Sequence, residues 1–162
     1  MTALVAIDPV EHLLVEALGD PDAPKKKRRK SSSTYNSRTL VECRKRGWIA
    51  GVVERTIPFP KPRGTKIDLF GVIDVVAVDL SAPLGQRTIG IQSTSGGTGG
   101  SHSPHRAKIL AEPRARDWVA AGNRLELWSW AKQGARGQRK RWLLRVETYE
   151  QMVAGAAGSE AA

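Results

Sequence analysis

The stretch Phe70 to Leu80 (FGVIDVVAVDL) constrains the fold more than any other part of this sequence. Its nearly continuous β-branched character predicts a strand covered on both faces. One residue breaks the pattern. Asp74 sits among Val72, Ile73, Val75 and Val76, where a buried carboxylate without a partner costs several kcal/mol. Such a group survives when a metal ion, an arginine or a hydrogen-bond network meets it. On spacing alone, a strand-end aspartate that caps a loop or pairs with an arginine fits equally well.

The flanking periodicities give the order of elements. Residues 35–47 read as a helix with Leu40, Val41 and Cys43 inward and Gly47 as its stop. Residues 48–57 read as a strand, ended by the cluster Pro58, Pro60 and Pro62. Residues 87–94 form a further strand, followed by the glycine-rich loop Ser95 to Ser101. A helical segment from about Pro104 to Ala121 is expected in two pieces, because Pro113 does not fit a helix interior. Residues 124–131 and 139–148 alternate at period two and predict a hairpin. Before this body, residues 1–23 contain a short amphipathic helix, begun by Asp8-Pro9 and closed by Gly19. Residues 24–34 read as a solvated basic linker, and residues 151–162 as a frayed tail. The fold class expected for 35–150 is α/β, with a mixed sheet flanked by helices.

The formal charge is +10, from 26 Lys+Arg against 16 Asp+Glu. Six of the positives are Lys25, Lys26, Lys27, Arg28, Arg29 and Lys30; without them the balance is only +4. A polyanionic partner is expected, with the run acting through counterion release. The same run resembles a nuclear localisation signal, so the expected compartment is the bacterial or phage-infected cytoplasm, or the nucleus where an import system reads it. The single cysteine, Cys43, excludes an internal disulfide and a cysteine-type zinc finger, and suits a reducing, intracellular setting. No basic region followed by an apolar stretch opens the chain, and no run approaches bilayer-spanning length, so no membrane association is expected.

Gln92 and Thr94 lie two residues apart and share a strand face. If their strand neighbours that of Asp74, then Asp74 and Gln92 converge at the strand ends, with Asp68 within reach. Oxygen ligands so arranged suit Mg²⁺, which takes few protein ligands; ordinary surface hydrogen bonding suits them too. The glycine loop lacks the Gly-Lys-Ser/Thr of a Walker A motif and reads as a connector. His102 and His105 have no third companion at metal-ligand spacing, and are expected to face DNA phosphate or solvent. Trp128, Trp130 and Trp142 read as core and sheet packing. Arg136, Arg139, Lys140 and Arg141 extend the basic surface along the hairpin.

The order α-β-β-β-α-β resembles the core of the PD-(D/E)XK nuclease superfamily, which includes Holliday-junction resolvases and Mrr-type restriction enzymes. Arg44-Lys45-Arg46-Gly47-Trp48 resembles the end of the first helix in resolvase-like members, and Asp74-Val75-Val76-Ala77 the motif aspartate. Ile91-Gln92-Ser93-Thr94 stands where the (D/E)-x-K strand is found. Asp68 to Ile109 is also similar to short phage-type proteins carrying DLFG-x-h-D, h-Q-x-T-S and HR-x-K-I, where h is hydrophobic. The resemblance spans roughly residues 35–131. It implies a Mg²⁺- or Mn²⁺-dependent DNA endonuclease, with branched DNA as a candidate substrate and a homodimer by analogy with resolvases.

The implied site comprises Asp74, Gln92, Lys108 and Glu42 as catalytic groups and Asp74, Asp68 and Gln92 as metal ligands. Arg44, Lys45, Arg46, His105 and Arg106 join the Lys25–Lys30 run as DNA contacts. Two departures stand out. Gln92 replaces the acidic residue, and Thr94 replaces the lysine, for which Lys108 is the candidate substitute. The alternatives are a nuclease-fold protein that only binds DNA, and an adaptor that docks through its N-terminal helix.

Overall fold

The computed structural model describes residues 34–53, 55–57, 65–97 and 100–160. The expected N-terminal helix and the basic run lie outside them. The chain is an α/β protein with a mixed five-stranded sheet and four helices among the described residues. Helix α1 (Tyr35–Lys45) begins where Thr34 Oγ1 accepts a hydrogen bond from the Ser37 amide. It stops at Gly47, whose φ of 76° lets the Trp48 amide turn back to the Cys43 carbonyl at 2.9 Å.

Strands β1 (Ile49–Val52), β4 (Val75–Val78), β5 (Thr88–Ser95), β6 (Arg124–Gln133) and β7 (Arg141–Thr148) lie in that spatial order. All neighbouring pairs are antiparallel except β5 and β6. A parallel pair needs a crossover, supplied by α2 (His102–Ala111) and α3 (Pro113–Ala120). Pro113 does divide this segment: Glu112 caps α3 and Pro113 occupies its first turn, where no amide hydrogen is required.

Side chains leaving the two sheet faces bury against different helices. On one face Cys43 and Leu40 of α1 pack on Val75, Ala77, Ile89, Ile91, Trp128 and Trp130. On the other, Ile109, Ala115 and Met152 from α2, α3 and α4 (Tyr149–Glu160) pack with Ile73, Leu125 and Leu127. The sheet is thus enclosed between layers, which explains the unbroken apolar character of β4.

Three expectations are corrected. The strand over 48–57 is two strands: β1 joins the main sheet, while β2 (Arg55–Ile57) pairs with β3 (Thr65–Ile67) in a separate two-stranded sheet. The strand over 70–80 shortens to β4, because the chain turns tightly just before it. Gly71 N–H donates to the Asp68 carbonyl, Leu69 bridges Ile73, and Phe70 and Gly71 both take positive φ. Finally, most of the expected frayed tail is helical. Thr148 and Gln151 cap α4 reciprocally, through Thr148 N–H to Gln151 Oε1 and Gln151 N–H to Thr148 Oγ1. Met152 is fully buried, which anchors the helix to the core. No helix among the described residues is long and apolar enough to cross a membrane.

Candidate active site

The turn before β4 has a consequence for chemistry. By doubling the chain back, it brings Asp68 beside Asp74 at the end of β4. Both line a cleft of about 330 Å³ with Gln92 and Ser93 of β5, His105 of α2, and Thr34, Tyr35 and Asn36 at the start of α1. The convergence expected of Asp74, Asp68 and Gln92 is therefore present in the fold.

Asp74 is buried, and its Oδ2 accepts from Gln92 Nε2 at 2.6 Å and from the Ser93 amide at 2.8 Å. The strand pairing accounts for this: the Asp74 amide bonds the Ile91 carbonyl, which sets its side chain against the next two residues of β5. The Gln92 amide group is oriented by that contact. Its nitrogen is committed to Asp74, while its Oε1 is buried and has no hydrogen-bond partner. Leaving such an acceptor unmet costs about 1–3 kcal/mol, and Gln92 is only 2% exposed.

Asp68 carries an ion pair with Lys108, Nζ to Oδ2 at 3.6 Å. Lys108 is thus held at the Asp68 edge of the cleft, with its side chain half exposed. Thr94 contributes nothing to the cleft lining. Its hydroxyl bonds Ser101 Oγ and stands 3.3 Å from His105 Nδ1, which also bonds the Ser101 carbonyl at 2.7 Å. A carbonyl can only accept, so His105 Nδ1 carries the hydrogen, and in the neutral ring Nε2 carries the lone pair.

Other sequence candidates lie elsewhere. Glu42 pairs with Arg46 at 3.3 Å and Lys45 at 3.8 Å, and lines a different groove with Trp142 and Leu144. The start of α1 faces the cleft, and Glu42 lies about two turns further along that helix, so it is not part of the site. Arg44 and Lys45 are exposed at that far end, and Arg46 stacks over Trp48 and Trp128. Arg106 is not a free DNA contact: its Nη2 donates to the Met152 carbonyl at 2.7 Å and its Nε faces Glu147 at 3.3 Å. It fastens α4 instead.

His102, expected to face phosphate or solvent, is also turned inward. Its Nε2 donates to Glu147 Oε2 at 2.7 Å, and its Nδ1 meets Ser129 Oγ. A hydroxyl, an imidazole and a carboxylate in series resemble a hydrolase triad. However, Ser129 is 1% exposed and Gly96 lies directly over its Cβ, so no substrate reaches that hydroxyl. The series ties α2 to β6 and β7. Trp128 and Trp130 are buried, in line with the packing role expected of them, and Trp142 is half-buried.

Among the described residues, no group of three or more His, Cys, Asp and Glu is placed to hold a metal ion. The cleft offers a different donor set, two carboxylates and one amide oxygen. The unpartnered Gln92 Oε1 is the observation by which that set fits a hard, oxygen-seeking cation. In comparisons with protein-family models, curated proteins and solved structures, nothing matches this chain.

Proposed function

We propose that this protein is a metal-dependent DNA endonuclease with a PD-(D/E)XK-type core. The carrying observation is Gln92 Oε1, a buried acceptor without a partner, set beside the Asp74 carboxylate in a cleft that Asp68 also lines. The connectivity supports the same reading: a helix, three antiparallel main-sheet strands, a helical crossover and a parallel strand.

On this reading Asp74, Asp68 and Gln92 would hold Mg²⁺ or Mn²⁺. That cation supplies a polarised phosphate and a more acidic water. The chain's own residues do the rest. Gln92 Nε2 and the Ser93 amide fix the Asp74 carboxylate, so little reorganisation is needed at the moment of reaction. His105, anchored through Nδ1, presents Nε2 as the atom able to take a proton from the attacking water. Lys108 Nζ sets a positive charge at the cleft edge, where it offsets charge developing on the phosphate. Duplex DNA is the partner, and two copies would act together on a branched substrate, as the resolvase resemblance implies.

The test is cleavage of linear, supercoiled and four-way-junction DNA in Mg²⁺, Mn²⁺ or EDTA. Asp74→Ala should reduce metal-dependent cutting at least about a hundredfold, the usual scale for removing one charge-organising group, while leaving DNA binding intact. Cutting that survives in Asp74→Ala would remove the cleft from the mechanism. A second reading draws on Thr94, whose hydroxyl is engaged by Ser101 where the family lysine would stand. It makes the protein a DNA-holding relative of nucleases, and salt-sensitive binding without cutting under every condition would establish it.

A further inference from the structure

The β6–β7 hairpin carries a charge pattern found nowhere else in the described fold. Between Lys132 and Arg145 the sequence places Lys132, Arg136, Arg139, Lys140, Arg141 and Arg145, and no acidic residue. Elsewhere, Arg46, Arg106, Lys108, Arg114 and Arg124 each have a carboxylate partner. In the hairpin only Arg145 does, at 3.9 Å from Glu147. The other five are exposed and form no ion pair among the described residues. Like charges gathered so closely on an exposed surface create a positive field that favours a polyanionic partner.

The shape of this segment narrows the partner. Pairing of β5 with β6 ends at Ser95 opposite Trp130, yet β6 and β7 continue to pair from Ala131–Leu143 to Gln133–Arg141. The hairpin therefore projects past its neighbour as a two-stranded ribbon. Along it runs an open groove of about 1100 Å³ lined by Arg139, Lys140 and Arg141 with Trp142. A two-stranded ribbon is one of the two protein elements that the DNA major groove admits.

The root of the ribbon adjoins the cleft. Trp142 carries Arg38 of α1 on its face at 3.8 Å, with Lys132 at 5.4 Å. Tyr35 meets it edge-on at 6.2 Å, and Tyr35 also lines the cleft. With its ring already covered by Arg38, Trp142 acts as a post that gathers cations and joins the ribbon to α1, not as an open platform for bases.

Building on the DNA reading above, we infer that the β6–β7 ribbon is a duplex-binding arm. It seats in the major groove flanking the cleft and neutralises backbone phosphates through Arg139, Lys140 and Arg141, without reading sequence.

The test is fluorescence anisotropy with a labelled random-sequence duplex, in EDTA, using the full chain. Wild type is compared with R139A/K140A/R141A, and both are repeated with Lys25–Lys30 replaced by alanine, so that the basic run does not mask the arm. The three arginine and lysine side chains are exposed, so circular dichroism and the melting temperature should be unchanged. Duplex affinity should fall about tenfold or more at 0.1 M salt, and the slope of log K against log salt should become shallower by roughly three, one per lost phosphate contact. Unchanged affinity and slope would overturn the arm. So would an equal loss on single-stranded DNA, or tighter binding to polyglutamate or anionic vesicles than to the duplex. Because binding is read in EDTA, the result is separate from cleavage. A ribbon-dependent loss of binding stands even if Asp74→Ala shows that the cleft cuts nothing, and unaltered binding leaves the nuclease reading untouched.

Discussion

Gln92→Glu gives the sharpest reading of the cleft, because its cost should largely disappear when a cation is added. Gln92 Nε2 lies 2.6 Å from Asp74 Oδ2, so glutamate there exchanges a hydrogen bond for two carboxylates in contact. At about 4 Å and an effective dielectric near 20, two like charges repel by roughly 4 kcal/mol. Sharing a proton relieves part of that, which leaves a loss of about 2–3 kcal/mol at pH 8 and less at pH 5, where the pair holds its proton more readily. For a domain of this size such a loss lowers the melting temperature by roughly 10 °C. A divalent cation should return it: at a hundredfold excess over its dissociation constant, binding contributes about 2.7 kcal/mol. The assay is thermal unfolding of wild type and Gln92→Glu in EDTA, then in Mg²⁺ or Mn²⁺, at both pH values. Wild type should gain less than the variant, since an amide oxygen brings no charge. A variant that melts like wild type in EDTA refutes the carboxylate contact, and one that gains no more than wild type in either cation refutes the metal assignment.

Other regions yield independent tests. Thr39 is fully buried between Trp130 Nε1, which donates to its hydroxyl at 3.0 Å, and Ser93 Oγ at 2.8 Å; Thr39→Val should therefore cost about 2–3 kcal/mol by stranding the indole, while Thr39→Ser costs about 1 kcal/mol, both read from urea unfolding. Burial pushes the Cys43 thiol up to about 11, against the opposing pull of Arg46. Native protein should therefore resist iodoacetamide at pH 8, and since the unfolded thiol ionises first, stability should decline as pH rises from about 9 towards 11. Gly155→Ala should destabilise α4 although alanine is the better helix former, because a Cβ there runs into the Arg106 guanidinium that holds Met152 and Glu147; faster hydrogen exchange confined to 149–160 would be the signature.

Periodicity along the chain carried most of the architecture. The β5 strand, the hairpin and the break at Pro113 are local signals, and each is present in the fold. What escaped depended on partners distant in sequence. Nothing local distinguishes β1 from β2, which continue one another in sequence but pair with different strands. Arg106 and Glu42 look like surface residues until Met152, Glu147 and Arg46 are found beside them. The last helix is a different case, because its Thr148-x-x-Gln151 capping pair is a local signal. It was outweighed by the glycine and alanine content that follows. In the cleft, the Asp74–Gln92 meeting was legible from strand parity and Asp68 was expected within reach, but the turn that brings it there, with Phe70 at positive φ, was not legible.

Among the described residues, three buried side-chain polar atoms lack a hydrogen-bond partner: Arg38 Nε, Arg106 Nε and Gln92 Oε1. They are not equivalent. Arg106 Nε lies 3.3 Å from a Glu147 oxygen, so its charge is met although the hydrogen bond is not formed. Arg38 holds its guanidinium carbon 3.8 Å from the centre of the Trp142 ring, which receives the cation. Gln92 Oε1 has neither compensation, and its neighbour is a carboxylate that can only deepen the negative potential around it. A fold that satisfies Thr39, Glu126 and Ser129 in its interior does not lack the means to satisfy one more oxygen. Departures from local consistency concentrate where function opposes stability, and here one lies beside two acidic side chains: an unmet acceptor, Gln92 Oε1, in a cleft that Asp74 and Asp68 also line. The exposed cations of the ribbon present the complementary demand, for negative charge. On the proposed reading, a phosphate backbone with a bound divalent cation would answer both.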